Sequence, residues 1–356
     1  MQNFYKNKKV IVTGHTGFKG SWLTQILLNM GAKVVGVSLP PETSPNLFEI
    51  LGIKNKVNNY FADIRDFKEM KKIFNKEKPE IVFHLAAQAI VRNSYDKPLE
   101  TISSNVLGTA NILEAIRENS SVKSAVIITT DKVYENKETQ HSYRETDPLG
   151  GYDPYSASKA AADIVTNSYI QSFLNPKDYI KHNTLVAVAR AGNVIGGGDW
   201  AEYRLIPDIV RSIYEGDGKI QSRNPNAVRP WQHVMEPLLG YLMLAKGLYE
   251  GKTKLSGAWN FGPNNKSSVT VKRLIEDAIN ILGRGSHKII PDKSKHEAHL
   301  LRLNINKADA LLGWKPRLNF KQNLEITFSW YKNYYEKKQN AVEFTNNQIK
   351  DFFNLK

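Results

Sequence analysis

The chain has no cysteine among its 356 residues. Disulfides, a thiolate nucleophile and any cysteine-ligated metal site are therefore excluded, and a reducing compartment fits. No apolar run approaches the roughly 20 residues that cross a bilayer. The opening MQNFYKNKKVIVTG also lacks the apolar stretch of a signal peptide. A soluble, cytoplasmic protein with no membrane partner is expected. Acidic residues are in deficit, with 35 Asp and Glu against 49 Lys and Arg for a net charge of +14. Such a surplus suits nucleic acid, anionic lipid or a small anionic substrate. The lysines are scattered along the chain, which describes a solvated surface, so no nucleic-acid partner is expected. Internal repeats are absent, and no metal site is expected.

What is present is an alternation. KKVIVTG, AKVVGVSL, VNNYFADI, EIVFHLAA, SAVIITT and NTLVAVAR read as strands rich in β-branched residues. Helical patterns fall between them in FKGSWLTQILLNMG, DFKEMKKIFNKEKP, ETISSNVLGTANILEAIREN and PYSASKAAADIVTNSYIQSF. Strands alternating with helices give an α/β fold, a doubly wound parallel Rossmann sheet covered on both faces. After about residue 190 the alternation loosens. EYRLIPDIVRSIYEG, MEPLLGYLMLAKGLYEG and TVKRLIEDAINILG look helical, with short strands near KIQSR and GAWNFG. The expected division is a dinucleotide-binding Rossmann domain over 1–190, with part of 230–262 added. A smaller interleaved α/β substrate region follows over 191–335, then a tail over 336–356 with no assigned role.

TGHTGFKG places Gly14, Gly17 and Gly20 between the first strand and the first helix. Gly14 permits a tight turn, Gly17 lets backbone approach a pyrophosphate, and Gly20 lets the helix lie close. Thr16 and Phe18 complete this loop as cofactor-binding candidates. The second strand ends in GVSLPPE, with neither an acid nor an arginine at its tip. Ser38 is the group left there to meet an adenosine ribose, and NAD against NADP stays open on these residues. Asp63 and Ile64 follow the third strand and are candidates for the adenine edge. Leu85, Ala86, Ala87 and Gln88 end the fourth, where small side chains leave room for a dinucleotide. Plain helix–sheet packing explains the two alanines equally well.

TTDKVY ends the fifth strand with Thr130, Asp131 and Lys132. YSASK sets Tyr155 and Lys159 four apart, on one face of a helix. A tyrosine titrates near ~10 in isolation, and a neighbouring ammonium lowers that value, making the phenol a usable base for a sugar hydroxyl. Thr130 can orient the same oxygen, because doubly wound sheets seat ligands at the C-terminal ends of their strands.

The glycine loop, Thr130 and YSASK resemble the extended short-chain dehydrogenase/reductase family. Within it, TGHTGFKGSWL, TTDKVYEN, RAGNVIGGGDWAEYRLIPD and RNPNAVRPWQHVMEPL resemble the group of 4,6-dehydratases that act on CDP-glucose, from about residue 8 to about 335. The resemblance implies tightly held, recycled NAD, a homodimer, and a role in deoxysugar synthesis such as lipopolysaccharide O-antigen. It implies that Tyr155, supported by Lys159 and Thr130, takes the 4-hydroxyl proton while hydride passes to NAD. Water is then lost across carbons 5 and 6, and the hydride returns to carbon 6. Asp131 as acid and Lys132 as base are expected to serve the elimination; the dTDP-glucose group has Asp-Glu where this chain has Asp-Lys. Lys132 needs lowered basicity for that role, through burial or a cation such as Lys159, and a salt bridge to Asp131 or another acid is its alternative.

Asn193, Arg204, Leu205, Arg229 and His296 are the expected substrate-binding residues by the same resemblance, with Arg229 foremost for the diphosphate. Arg223 and Glu297 are weaker candidates, and GGGDW is expected to be a flexible loop near the substrate. Another nucleotide-sugar dehydratase or an epimerase with the same Tyr/Lys pair remains an alternative, as does a non-enzymatic binding protein.

Overall fold

The computed structural model describes residues 1–222, 224–263, 268–290 and 301–355. The strands of the alternating pattern form as β1 Lys9–Thr13, β2 Lys33–Ser38, β3 Asn58–Phe61, β4 Ile81–His84, β5 Ser124–Ile128 and β6 Leu185–Ala191. Between them run α1 Phe18–Asn29, α2 Phe67–Glu77, α3 Gly108–Arg117 and α4 Pro154–Ser172. A seventh strand, β7 Gly257–Phe261, closes one edge, giving the order β7-β6-β5-β4-β1-β2-β3. Every neighbouring pair is parallel. The fold is the expected doubly wound α/β sheet.

Residues of β4, β5 and β6 are buried throughout because both faces are covered. The period of two sorts side chains to opposite sides. Val10, Val12, Ile81, Phe83, Val126 and Ile128 pack with α1, whereas Ile11, Val35, Val82, Ala125 and Ile127 pack with α2 and α3. The chain moves outward from β1 to β2 and β3, then returns to β4 on the other side. The crevice beyond the ends of β1 and β4 is therefore the switch point where such sheets bind ligands.

The helix expected over ETISSNVLGTANILEAIREN is not uniform. A helical segment Pro98–Ile102 leads into one wider, π-type turn over Ser103–Leu107 before α3. The extra residue turns Asn105 inward, where its amide is fully buried.

The region after β6 contributes α5 Leu205–Tyr214, α6 Met235–Tyr249 and α7 Val271–Leu282. It returns to the main sheet through β7, and α6 packs its Leu238, Leu242 and Leu244 into the same core as β5 and β6. Two further helices follow, α8 Phe320–Glu336 and α9 Ala341–Asn354. The last is docked: Trp330 Nε1 donates to Thr345 Oγ1 at 2.8 Å, and Asn346 Oδ1 accepts from Gln25 Nε2 at 2.9 Å. Among the described residues, no helix is long and apolar enough to cross a membrane.

Candidate active site

The glycine loop sits at the switch point. Gly14 adopts φ +73°, and a Cβ there would stand 2.7 Å from the Ala86 nitrogen, so the ends of β1 and β4 touch through it. At Gly20 a Cβ would lie 1.9 Å from the Gly14 carbonyl, which closes α1 onto the loop. Gly17 differs. Its φ is −76° and the Gly14 carbonyl oxygen would be 3.4 Å from a Cβ, so no described residue demands glycine there. No side chain caps α1, and no acid stands in its first turn. An uncapped helix start beside an unfilled Cβ position is the geometry that accepts a phosphate. The residues present thus fit a dinucleotide.

The remaining cofactor candidates stand in the glycine loop and at the ends of β2, β3 and β4. Thr16 Oγ1 donates to the Leu39 carbonyl at 2.9 Å and lies 2.8 Å from Ser38 Oγ. Thr16's one proton being engaged, Ser38 donates in that pair and keeps its lone pairs for a ribose hydroxyl. Both oxygens of Asp63 are held by the Arg65 guanidinium, which keeps the carboxyl below its ordinary range. Ile64 is buried against Gly108. Gln88 is locally engaged: its amide donates to the Ile90 carbonyl and to Thr101 Oγ1, and its backbone N–H donates to Asn105 Oδ1.

A buried relay fixes this loop, and sequence reading missed it. Leu85 and Ala86 both donate their N–H groups to Thr13 Oγ1 at 3.1 Å. Thr13 also meets His84 Nδ1 at 2.7 Å, His84 Nε2 meets Thr109 Oγ1 at 3.0 Å, and Thr109 donates to the Asn105 carbonyl. Burial pushes His84 down to about 3, so the ring is neutral and serves as a spacer. Asn105 Nδ2 donates to Ser158 Oγ at 2.8 Å, tying the cofactor crevice to α4. Only the inward turn of the π segment brings these polar groups together.

Thr130, Asp131, Tyr155 and Lys159 converge at the end of β5. Asp153 caps α4, accepting from Ser156 N at 2.9 Å, with Pro154 at the first helical position. Thr130 Oγ1 donates to Asp131 Oδ1 at 2.9 Å and is also hydrogen-bonded to Tyr155. That contact favours the Tyr155 phenolate, to which the Thr130 hydroxyl can donate. Asp131 is buried, and a Cβ on Gly192 would stand 2.8 Å from its Oδ2, so Gly192 makes room for it. Lys159 donates to the Ile128 carbonyl at 2.8 Å.

The expected electrostatics need one correction. Burial pushes Tyr155 up to about 12, and the chief offsets are the Thr130 hydrogen bond and the Arg204 guanidinium rather than the Lys159 ammonium. Lys159 is turned to the Ile128 carbonyl, and burial holds it down at about 8. Lys132 is half-buried and makes no salt bridge to Asp131.

From the second region, Arg204 precedes α5 and pairs with Asp199 at 2.9 Å, close enough to Tyr155 for each to shift the other. Leu205 opens α5, partly buried. Asn193 is half-buried, and its amide bonds to no described side chain or backbone group. Arg229 lies on a short strand, Val228–Pro230, and donates to the Val228 carbonyl at 3.2 Å. Arg223, His296 and Glu297 lie outside the described residues.

GGGDW is not the loose loop its glycines suggested. A Cβ on Gly197 would lie 2.1 Å from the Trp330 ring, Gly197 O accepts from Trp22 Nε1 at 2.9 Å, and Trp200 is buried. These glycines permit close packing against large aromatics. Asp199 is gripped by Tyr331, whose hydroxyl donates to the Asp199 carbonyl at 2.6 Å. Lys19, on the first turn of α1, was missed altogether. It reaches the same centre, interacting with Arg204, Lys159, Asp131 and Lys132.

The model of the GDP-mannose 4,6 dehydratase family matches residues 11–327. A CDP-glucose 4,6-dehydratase of Salmonella typhimurium is 46% identical over 332 residues, covering 93% of this chain and 92% of that protein. Among solved structures, a dTDP-glucose 4,6-dehydratase of Bacillus anthracis in complex with NAD superposes with TM-score 0.76 at 25% identity, over 92% of this chain and 98% of that one. The Streptomyces venezuelae dTDP-glucose 4,6-dehydratase DesIV, with NAD and TYD bound, gives TM-score 0.78 at 23% identity over 94% and 99% of the two chains, a likeness of fold. The chain belongs to the GDP-mannose 4,6 dehydratase family.

Proposed function

We propose that this protein converts CDP-glucose to CDP-4-keto-6-deoxyglucose and water, using NAD that is regenerated in each turnover. The observation that carries this reading is Thr130, whose hydroxyl joins Tyr155 on one side and Asp131 on the other. One oxygen network thus links a group suited to oxidation with a group suited to elimination. A simple epimerase needs no such second group. The 46% identity to a CDP-glucose 4,6-dehydratase supports the choice of nucleotide.

The dinucleotide would lie on the uncapped start of α1, with Gly14, Thr16, Gly17, Phe18 and Gly20 beneath it, Ser38, Asp63 and Ile64 toward the adenosine, and Leu85 to Gln88 beside it. When bound, it supplies a reusable hydride acceptor and a fixed positive charge. Tyr155 lies at about 12 without ligands, so it first loses its own proton to solvent, which the positive charge of a bound dinucleotide would favour; the phenolate then takes the 4-hydroxyl proton with Thr130 aligning the oxygen. Lys159, anchored to the Ile128 carbonyl at the end of β5, would contact the nicotinamide ribose. The 4-ketone acidifies carbon 5. Asp131 and Lys132, next along from Thr130, serve the loss of water as acid and base. Asn193, Arg204, Leu205, Arg229 and His296 hold the nucleotide sugar, and the positive cluster around Tyr155 matches its anionic character.

The assembly is read as a homodimer. Leu99, Ile102 and Leu107 are exposed along the segment before α3, and Ile164 is exposed on α4, which packs against it. An apolar surface of this kind suits a helical interface between two copies. A cytoplasmic site and a role in supplying deoxysugars for O-antigen complete the proposal. The test is incubation with CDP-, dTDP-, UDP- and GDP-glucose, assayed for a 4-keto-6-deoxy product. Turnover of CDP-glucose without net NADH supports the reading; preference for another nucleotide, or release of an epimer alone, overturns it.

A further inference from the structure

Lys19 is a charged group that the proposed chemistry leaves without a task. It is the second residue of α1, two positions after Gly17. It is half-buried, and its ammonium makes no hydrogen bond or ion pair with any described residue. Its ionisable neighbours are Arg204, Lys159, Asp131 and Lys132. Lys159 is engaged by the Ile128 carbonyl and Arg204 by Asp199. A cation held among three others, away from bulk water and without a bonded partner, is poorly placed unless a ligand arrives that needs it.

The place of that ligand follows from the neighbours. On the reading above, on which this inference rests, Thr130 and Tyr155 hold the sugar at its 4-oxygen. Carbons 5 and 6 then lie toward Asp131 and Lys132. Lys19, at the start of α1, feels the charge of the same two residues from a separate element. We propose that Lys19 is a further catalytic residue of the elimination, contacting the 6-hydroxyl and stabilising the negative charge that builds on that oxygen and on Asp131 as the C6–O bond breaks.

The step balances with groups already named. The base takes the carbon-5 proton, the C5–H electron pair becomes the C5=C6 double bond, and the C6–O bond breaks. Asp131 gives its proton to the departing oxygen, which leaves as water, and Asp131 is left as a carboxylate facing Lys19. The proton removed earlier from the 4-hydroxyl restores Asp131, so the net loss is one water. Burial, with Arg204 and Lys159 next, holds Lys19 down at about 8. Its ammonium is therefore charged at neutral pH and a readier hydrogen-bond donor than an ordinary lysine.

The test compares wild-type, Lys19→Met and Lys19→Arg proteins with CDP-glucose. Lys19→Met is expected to oxidise carbon 4 at a near wild-type rate, so that bound reduced dinucleotide accumulates at 340 nm. It should wash solvent deuterium into carbon 5, and form product about 10²–10³ times more slowly, the usual cost of removing a donor to a developing oxyanion. Lys19→Arg should recover much of the rate. CDP-6-deoxy-6-fluoroglucose, whose leaving group departs without a proton, should narrow the gap between Lys19→Met and wild type. In the substrate-free protein, acylation of Lys19 mapped by mass spectrometry should show a midpoint near 8. A raised KM with unchanged kcat would assign Lys19 to phosphate binding and overturn the proposal, as would wild-type product formation by Lys19→Met. Failure of the wild-type protein to turn over CDP-glucose would instead overturn the functional reading beneath it.

Discussion

Asp163 on α4 holds Arg190 on β6 by two hydrogen bonds, 2.7 Å from Nε and 2.9 Å from Nη2, with the side chains 3% and 4% exposed. Asp163 stands one turn beyond Lys159, so this pair fixes the helix that carries Tyr155 and Lys159 against the sheet. Arg190 also donates to the Tyr134 hydroxyl at 2.8 Å. Asp163→Ala leaves a buried guanidinium without its counter-ion, at a cost of about 3–5 kcal/mol. Urea denaturation measures it. Replacing both partners by apolar residues should restore much of the loss, and a cost for Asp163→Ala alone within about 0.5 kcal/mol, as for an ordinary surface change, would contradict the assignment.

The three glycines of the loop separate into two kinds. Gly20→Ala drives a methyl into the Gly14 carbonyl and should destabilise the protein by about 1–3 kcal/mol whether or not a dinucleotide is present. Gly17→Ala meets no such barrier, so its stability without dinucleotide should stay within about 0.5 kcal/mol of wild type. Its affinity for NAD should fall by about tenfold or more, equivalent to roughly 1.4 kcal/mol. Calorimetric titration decides; equal NAD affinity in Gly17→Ala and wild type would remove the phosphate from this position.

Gly192 and Asp131 make a second pair of this kind. Gly192→Ala would press on Asp131 Oδ2 and displace the carboxylate. The expected result is a fall in kcat with little change in melting temperature. Asp131→Asn, which keeps the shape and removes the proton carrier, should lower kcat by about 10²–10⁴. Full activity in Asp131→Asn would take Asp131 out of the elimination.

Glu236 gives the stability a pH dependence remote from the chemistry. Fully buried at the start of α6, it accepts the N–H groups of Arg317 and Leu318 through Oε1, while Oε2 has no hydrogen-bond partner among the described residues. Burial pushes its carboxyl up to about 7, from 4.5. The folded protein thus keeps a proton that the unfolded chain releases. Its contribution is complete below pH 4.5 and is lost as pH rises through about 7. The size is on the order of 3 kcal/mol. Glu236→Gln should flatten the difference between stability curves measured at pH 5 and pH 8; an unchanged slope would show that Glu236 ionises normally.

The parts of the site carried by regular elements were legible in the sequence. Tyr155 and Lys159 share a face because a helix repeats every 3.6 residues, and Thr130 ends a strand in a fold that seats ligands at strand ends. Gly14 and Gly20 were legible because their contacts are backbone to backbone. Side-chain reach was not. Lys19 looks like one more surface lysine inside a motif read for its glycines, and only the approach of α1 to β5 and α5 brings it to Asp131 and Arg204. The Thr13–His84–Thr109–Asn105 relay depends on a π-type turn that no periodicity announces. GGGDW read as a loose loop because glycine permits motion as readily as close approach, and the aromatic rings that decide between them lie more than a hundred residues further on.

In the proposed reaction one hydrogen leaves carbon 4 and comes back at carbon 6 of the same sugar. CDP-glucose carrying deuterium at carbon 4, turned over by the wild-type protein and read by NMR of the product, tests this directly. Deuterium recovered at carbon 6, with none in the solvent and no reduced dinucleotide left behind, is the predicted result. Deuterium back at carbon 4 of an epimer, or retained in accumulating NADH, would contradict it.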